Sequence, residues 1–121
     1  PEAVENTVEI ADKCSFELRL TGDLILPTYR VPEGHAGMDA YLAHLAWEGA
    51  RRKYGEALPA DVAERVANEL AIIQQMGFAG YFLIVQEFTN EARRRGVYVG
   101  PGRGSAAGSV VAYATGIIDI D

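Results

Sequence analysis

The sequence predicts a helix-rich α+β fold with a short sheet and a glycine-rich loop that opens a helix. Three observations lead to it. Apolar residues recur at helical spacing in four stretches between residues 2 and 96. β-Favouring residues fill two short stretches, Val97-Tyr98-Val99 and Ile117-Ile118-Asp119-Ile120, and Leu24-Ile25-Leu26 reads as extended. Between the two β stretches, glycines stand at 100, 102, 104 and 108, and a small-residue helix is expected from about Ser105.

Residues 2–14 place Val4, Val8, Ala11 and Cys14 on one helical stripe, which puts the Cys14 thiol among apolar neighbours. Phe16 to Leu20 alternates weakly, and Thr21-Gly22-Asp23 reads as a turn. Pro27 ends the extended segment, and residues 27–37 form a loop with two prolines and two glycines. Asp39 is a suitable N-cap for a helix that runs to Tyr54 and stops at Gly55, burying Leu42, Leu45, Ala46 and Gly49. Tyr41 and Trp47 flank that stripe as packing residues. Pro59 and Asp61 open a third helix through Met76, with Val62, Val66, Leu70 and Ile73 inward and Gly77 as its stop. Tyr81 to Val85 alone suits a strand. Its continuation through Phe88 and Ala92 favours a fourth helix, closed by Gly96.

With 121 residues, 49% hydrophobic and 23% charged, the chain is one domain or part of one, of ordinary globular composition. It starts at Pro1 and stops within an expected strand, so it reads as a piece of something longer. No apolar run has the length of a membrane span and no signal peptide is visible. The single cysteine excludes an internal disulfide and suits a reducing, cytoplasmic setting. His35 and His44 have no companion ligand at metal-binding spacing, so no metal site is expected. The net charge of −6 argues against a polyanionic partner only on average. Residues 1–48 hold nine acids and three bases, while residues 49–121 sum to zero, their bases grouped mainly at 51–53, 93–95 and 103. Both triplets, Arg51-Arg52-Lys53 and Arg93-Arg94-Arg95, fall in a last helical turn, where positive charge complements the dipole. The second also lies within ten residues of the glycine loop.

The loop has the chemistry of a phosphate cradle. Glycine lets a ligand approach the backbone, the first N–H groups of a helix lack intrahelical partners, and the dipole there favours an anion. Arg103 could add a two-pronged cationic contact. A Walker loop is excluded because no lysine follows Lys53. A dinucleotide fingerprint remains open, since Gly102-x-Gly104-x-x-Ala107 follows an expected strand and precedes Asp119 and Asp121. On that alternative the chain is a Rossmann-like fragment of an oxidoreductase. Pro101 and the ninety residues of helix upstream count against it. A second alternative is a non-catalytic nucleic-acid or subunit-interaction module.

Three longer matches point further. Gly80-Tyr-Phe-Leu-Ile-Val-Gln-Glu-Phe88, Val99-Gly-Pro-Gly-Arg-Gly-Ser-Ala-Ala-Gly-Ser-Val-Val-Ala-Tyr-Ala114 and Gly116-Ile-Ile-Asp-Ile-Asp121 together resemble the C-family replicative polymerases, the bacterial DNA polymerase III alpha subunits. Asn6 to Cys14 and Leu24 to Pro27 look like the passage from that family's PHP domain into its palm, and the likeness is looser across 28–66. Ala106-Ala107-Gly108 is more similar to the main replicative branch than to the error-prone one. The resemblance implies a junction at 1–23 and the N-terminal palm at 24–121, with a polymerase-beta-like nucleotidyltransferase arrangement and its Gly-Ser loop at 100–109. It implies that Gly104 and Ser105, with Arg103, hold the triphosphate of an incoming deoxynucleotide. Gly100, Gly102, Gly108 and Ser109 would support the loop, and Arg93, Arg94 and Arg95 could touch primer–template DNA. The family's catalytic, Mg²⁺-binding aspartates come from later segments, so no catalytic or metal residue is expected in this chain, which alone would be inactive. Asp119 and Asp121 are read as structural or solvent-facing. Expected partners are the nucleotide, DNA, the other domains and the remaining replisome subunits, with no membrane.

Overall fold

A computed structural model describes residues 1–17, 26–102 and 104–121. The elements in order are α1 (Glu2–Lys13), α2 (Met38–Tyr54), α3 (Ala60–Met76), α4 (Ala79–Arg94), a 3-10 turn (Gly104–Gly108) and α5 (Val110–Ala114). There is no strand among the described residues, so the expected α+β class with its short sheet is corrected to an all-helical arrangement.

The reason lies in where the backbone groups of the expected strands go. After α4, Gly96 N–H donates to Arg93 O at 2.9 Å and Val97 N–H to Ala92 O at 2.9 Å. After α5, Gly116 N–H donates to Tyr113 O at 3.2 Å and Ile117 N–H to Ala112 O at 2.9 Å. Both are the paired closures that cap a helix through a left-handed glycine, with φ of 74° at Gly96 and 78° at Gly116. The β-branched residues that follow are therefore drawn into ending a helix. One backbone bond, Asp119 N–H to Pro101 O at 2.7 Å, brings the two stretches together. A ladder needs repeated pairing, and this single bond does not make one. Residues 24 and 25 of the first extended segment, residues 18–20 and the turn at 21–23 lie outside the described residues.

α2, α3 and α4 form as their periodicity requires. Leu42, Ala46, Gly49 and Ala50 are the buried residues of α2, and Val66 and Ile73 those of α3. α4 buries Ala79, Gly80, Leu83, Val85 and Thr89. Asp39 lies inside the first turn of α2, with Gly37 at the cap, and there favours the helix through the dipole instead. α5 is too short to persist alone. It is held because α2 and α3 both pack against it and four of its five residues are buried. The α2–α5 contact is close enough that a Cβ at Gly49 would stand 1.9 Å from Ala114 O.

One core cluster joins Leu42, Ala46 and Ala50 to Val66, Leu83, Val110 and Val111, with Tyr41 and Trp47 against its edge. A second gathers Val85, Ala112, Ile117 and Ile118. Phe82 packs on both. α1 contributes to neither: none of its residues is buried, and Val4 is 71% exposed. The expected apolar burial of Cys14 is corrected accordingly, since its thiol is exposed.

Candidate functional site

The helix expected from Ser105 starts later. Gly104–Gly108 winds as a 3-10 turn, and the α-helix begins at Val110 behind Ser109. Glycines at both ends of the turn disfavour an α-helix through it, by about 1 kcal/mol each relative to alanine. Ser109 is the better start because its side chain accepts from Ala112 N–H at 3.1 Å.

The other N–H groups at this helix start are also satisfied. Ser109 N–H donates to Ala106 O at 3.0 Å. Val110 and Val111 N–H both donate to the carboxylate of Glu69 on α3, each at 3.1 Å. Ser109 Oγ donates to the same carboxylate at 2.8 Å. One turn earlier on α3, Arg65 pairs with Glu69 at 3.3 Å and donates to Gly108 O at 2.5 Å. The anion position at the start of α5 is therefore occupied by a protein carboxylate. Neither Arg65 nor Glu69 stood out as a site residue in the sequence. The available signal was spacing: 62, 66, 69 and 73 follow one helical face, and Glu69 is the acid in that otherwise apolar series.

Two clefts flank the turn. One, of about 690 Å³, is lined by Gly104, Ser105, Ala106 and Ser109 from the loop and by Tyr81, Phe82 and Val85 from α4, with no acid among the described residues lining it. The other, of about 540 Å³, includes Gly108 and Arg65 but also Asp61 and Asp121. An anionic ligand is better accommodated in the first. Gly104 and Ser105, the expected phosphate-binding pair, are exposed and line that acid-free cleft together with Ser109. Gly100 is exposed, and Gly102 lies so close to Ile120 that a Cβ would stand 2.7 Å from its Cδ1. Arg103 lies outside the described residues.

The arginine triplet divides. Arg93 donates to Gly116 O and pairs with the Asp119 carboxylate at 3.1 Å, fastening α4 to the segment after α5. Arg94 and Arg95 are exposed and share Glu91, each at 2.6 Å. The hydrogen bonds from Arg94, and then Arg95, hold the Glu91 carboxyl below its ordinary value of 4.5, and Glu91 in turn raises Arg94. The lowered folded value means that this contribution to stability is present above 4.5 and is lost as pH falls through the folded value. In an NMR titration Glu91 is expected to titrate below 4.5, and a double Arg94→Ala, Arg95→Ala variant to return it there. A midpoint at 4.5 in the unaltered chain would show the fork to be open in solution.

Asp119 and Asp121 do not share a direction. The first meets Arg93 and the second accepts from the Tyr54 hydroxyl on α2. Burial, and then that hydrogen bond, raise the Tyr54 phenol above its ordinary value. His35 and His44 have rings 5.0 Å apart, and His44 lies 3.7 Å from Glu48. No group of three His, Cys, Asp or Glu side chains suited to a metal occurs among the described residues. No helix among them is long and apolar enough to cross a membrane.

The sequence that builds this turn and its cleft matches known proteins. Residues 40–121 match the bacterial DNA polymerase III alpha NTPase domain, and the chain belongs to that family. The whole chain is 48% identical to the DNA polymerase III subunit alpha of Pseudomonas aeruginosa. The proteins of the same name from Halalkalibacterium halodurans and Escherichia coli are 46% and 45% identical, again over the whole chain. The chain spans 11% of the length of each of these three relatives. The dinucleotide-binding alternative gains no support from these matches.

Proposed function

We propose that this chain is part of the catalytic alpha subunit of a bacterial replicative DNA polymerase, where it holds the triphosphate of the incoming deoxynucleotide. The observation that carries this reading is the exposed Gly104-Ser105 pair on a turn that lines an acid-free cleft, in a chain of this family. Ser105 can donate its hydroxyl to a phosphate oxygen, and the glycine leaves the backbone open to it. Arg103 would add positive charge from the same loop. Donors fixed in this way stabilise charge that builds on the β- and γ-phosphates as pyrophosphate leaves. Gly100, Gly102, Gly108 and Ser109 would keep the loop in shape.

On this reading the segment corresponds to the N-terminal part of the palm, with residues 1–23 as the junction that follows the PHP domain. Its contribution here is a helical support for the turn. The Mg²⁺ ions of the reaction would be held by other parts of the subunit. The whole enzyme would act in the cytoplasm on primer–template DNA, alongside the other replisome subunits. Arg94 and Arg95, exposed at the end of α4, could exchange Glu91 for a DNA phosphate; Arg93 would first have to leave Gly116 and Asp119.

The test is Ser105→Ala in an alpha subunit carrying this sequence. Loss of one hydrogen bond to a charged group is expected to lower kcat/KM for the nucleotide about tenfold, with primer–template affinity unchanged. An unchanged kcat/KM would remove Ser105 from the site.

A further inference from the structure

We infer that Glu69, with Arg65 one turn before it on α3, is the positioning device of the nucleotide turn, and that it decides where on the loop a phosphate can bind. The inference rests on the reading of Gly104 and Ser105 as the triphosphate grip. Its own support is geometric. An α-helix leaves its first N–H groups without intrahelical partners, and an anion commonly takes them. At α5 they are all engaged: Ser109 N–H by Ala106 O, Val110 and Val111 N–H by Glu69, and Ala112 N–H by Ser109 Oγ. A nucleotide phosphate would meet both a filled donor set and a negative charge there. The phosphate is thereby directed to the other end of the turn, toward Gly104 and Ser105.

The same two α3 residues fix the turn at its α5 end, which in turn carries Gly104 and Ser105. Arg65 holds Gly108 O at 2.5 Å, and Glu69 holds Ser109 Oγ at 2.8 Å. The junction between the 3-10 turn and α5 is thus tied on both sides to a rigid helix. Arg65 and Glu69 are four residues apart and brace each other. Neither reaches the acid-free cleft. Their effect on the nucleotide runs through the turn, which makes them positioning residues and not catalytic ones.

The experiment compares Glu69→Ala, Glu69→Gln and Ser105→Ala in an alpha subunit carrying this sequence. The readouts are KM for deoxynucleotides, kcat, primer–template Kd and melting temperature. Glu69→Ala is expected to raise the nucleotide KM about tenfold while primer–template Kd stays unchanged. Glu69→Gln keeps one acceptor oxygen and is expected to hold the KM rise to about threefold. A lower melting temperature with unchanged KM in Glu69→Ala would make the contact purely structural and overturn the inference. If Glu69→Ala does not fold, Glu69→Gln decides, and an unchanged KM there overturns it equally. Should Ser105→Ala raise KM while both Glu69 variants leave it alone, the positioning role falls and the grip stands. Should none of the three move KM, both fall.

Discussion

Gly49→Ala is expected to destabilise the fold by about 2–3 kcal/mol, although alanine is the better helix former by about 1 kcal/mol. The two effects have opposite signs, so the sign of the measured change decides between them. The added methyl would sit 1.9 Å from Ala114 O and 2.6 Å from its carbonyl carbon, both backbone atoms that cannot rotate away. α2 and α5 would have to separate, and the cluster of Leu42, Ala46, Val110 and Val111 would open with them. Chemical-denaturant midpoints of the two chains measure the change. A midpoint that rises would show that the helices stand further apart than the structure has them.

The second large effect is expected at Ile118→Ala, at about 3 kcal/mol, within the 2–5 kcal/mol typical of emptying a buried aliphatic site. Ile118 is fully buried, with Val85, Ala112 and Ile117 around it. The change also reaches the loop. The next residue, Asp119, donates its N–H to Pro101 and accepts from Arg93, so a slack Ile118 loosens both the loop and its tie to α4. Thermal unfolding reads the loss of stability, and faster amide exchange at Asp119 reads the loss of the tie. A fall in melting temperature with Asp119 exchange unaltered would show that the loop is supported from elsewhere.

The helices were legible because each carries its own signals. Leu42 and Ala46, Val66 and Ile73, and Leu83 recur at helical spacing, and glycine follows each helix at 55, 77 and 96. The strands were misread because Val97-Tyr98-Val99 and Ile117-Ile118 favour extended backbone equally well as a strand or as the exit from a helix. Only the three-dimensional partners distinguish the two. Tyr98 is 88% exposed, with no neighbouring strand to cover it among the described residues. The amphipathic stripe of α1 was real in the sequence, but amphipathicity predicts a face and not the surface that covers it. The glycine-serine pair stood out in the sequence by its residue types. What closes the start of α5 was not, because it comes from a residue forty positions upstream whose side chain resembles any surface acid on a helix.

That separation bears on the order in which the molecule assembles. Arg65–Gly108 and Glu69–Ser109 span 43 and 40 residues, whereas the turns of α2, α3 and α4 close within a few. Contacts distant in sequence pay their loop-closure entropy late, so the local turns of α2, α3 and α4 are expected to close ahead of these two ties. The five-residue α5 has little of its own to hold it and depends on α2 and α3. The glycine-serine turn therefore owes its shape to ties that close after the helices' own turns.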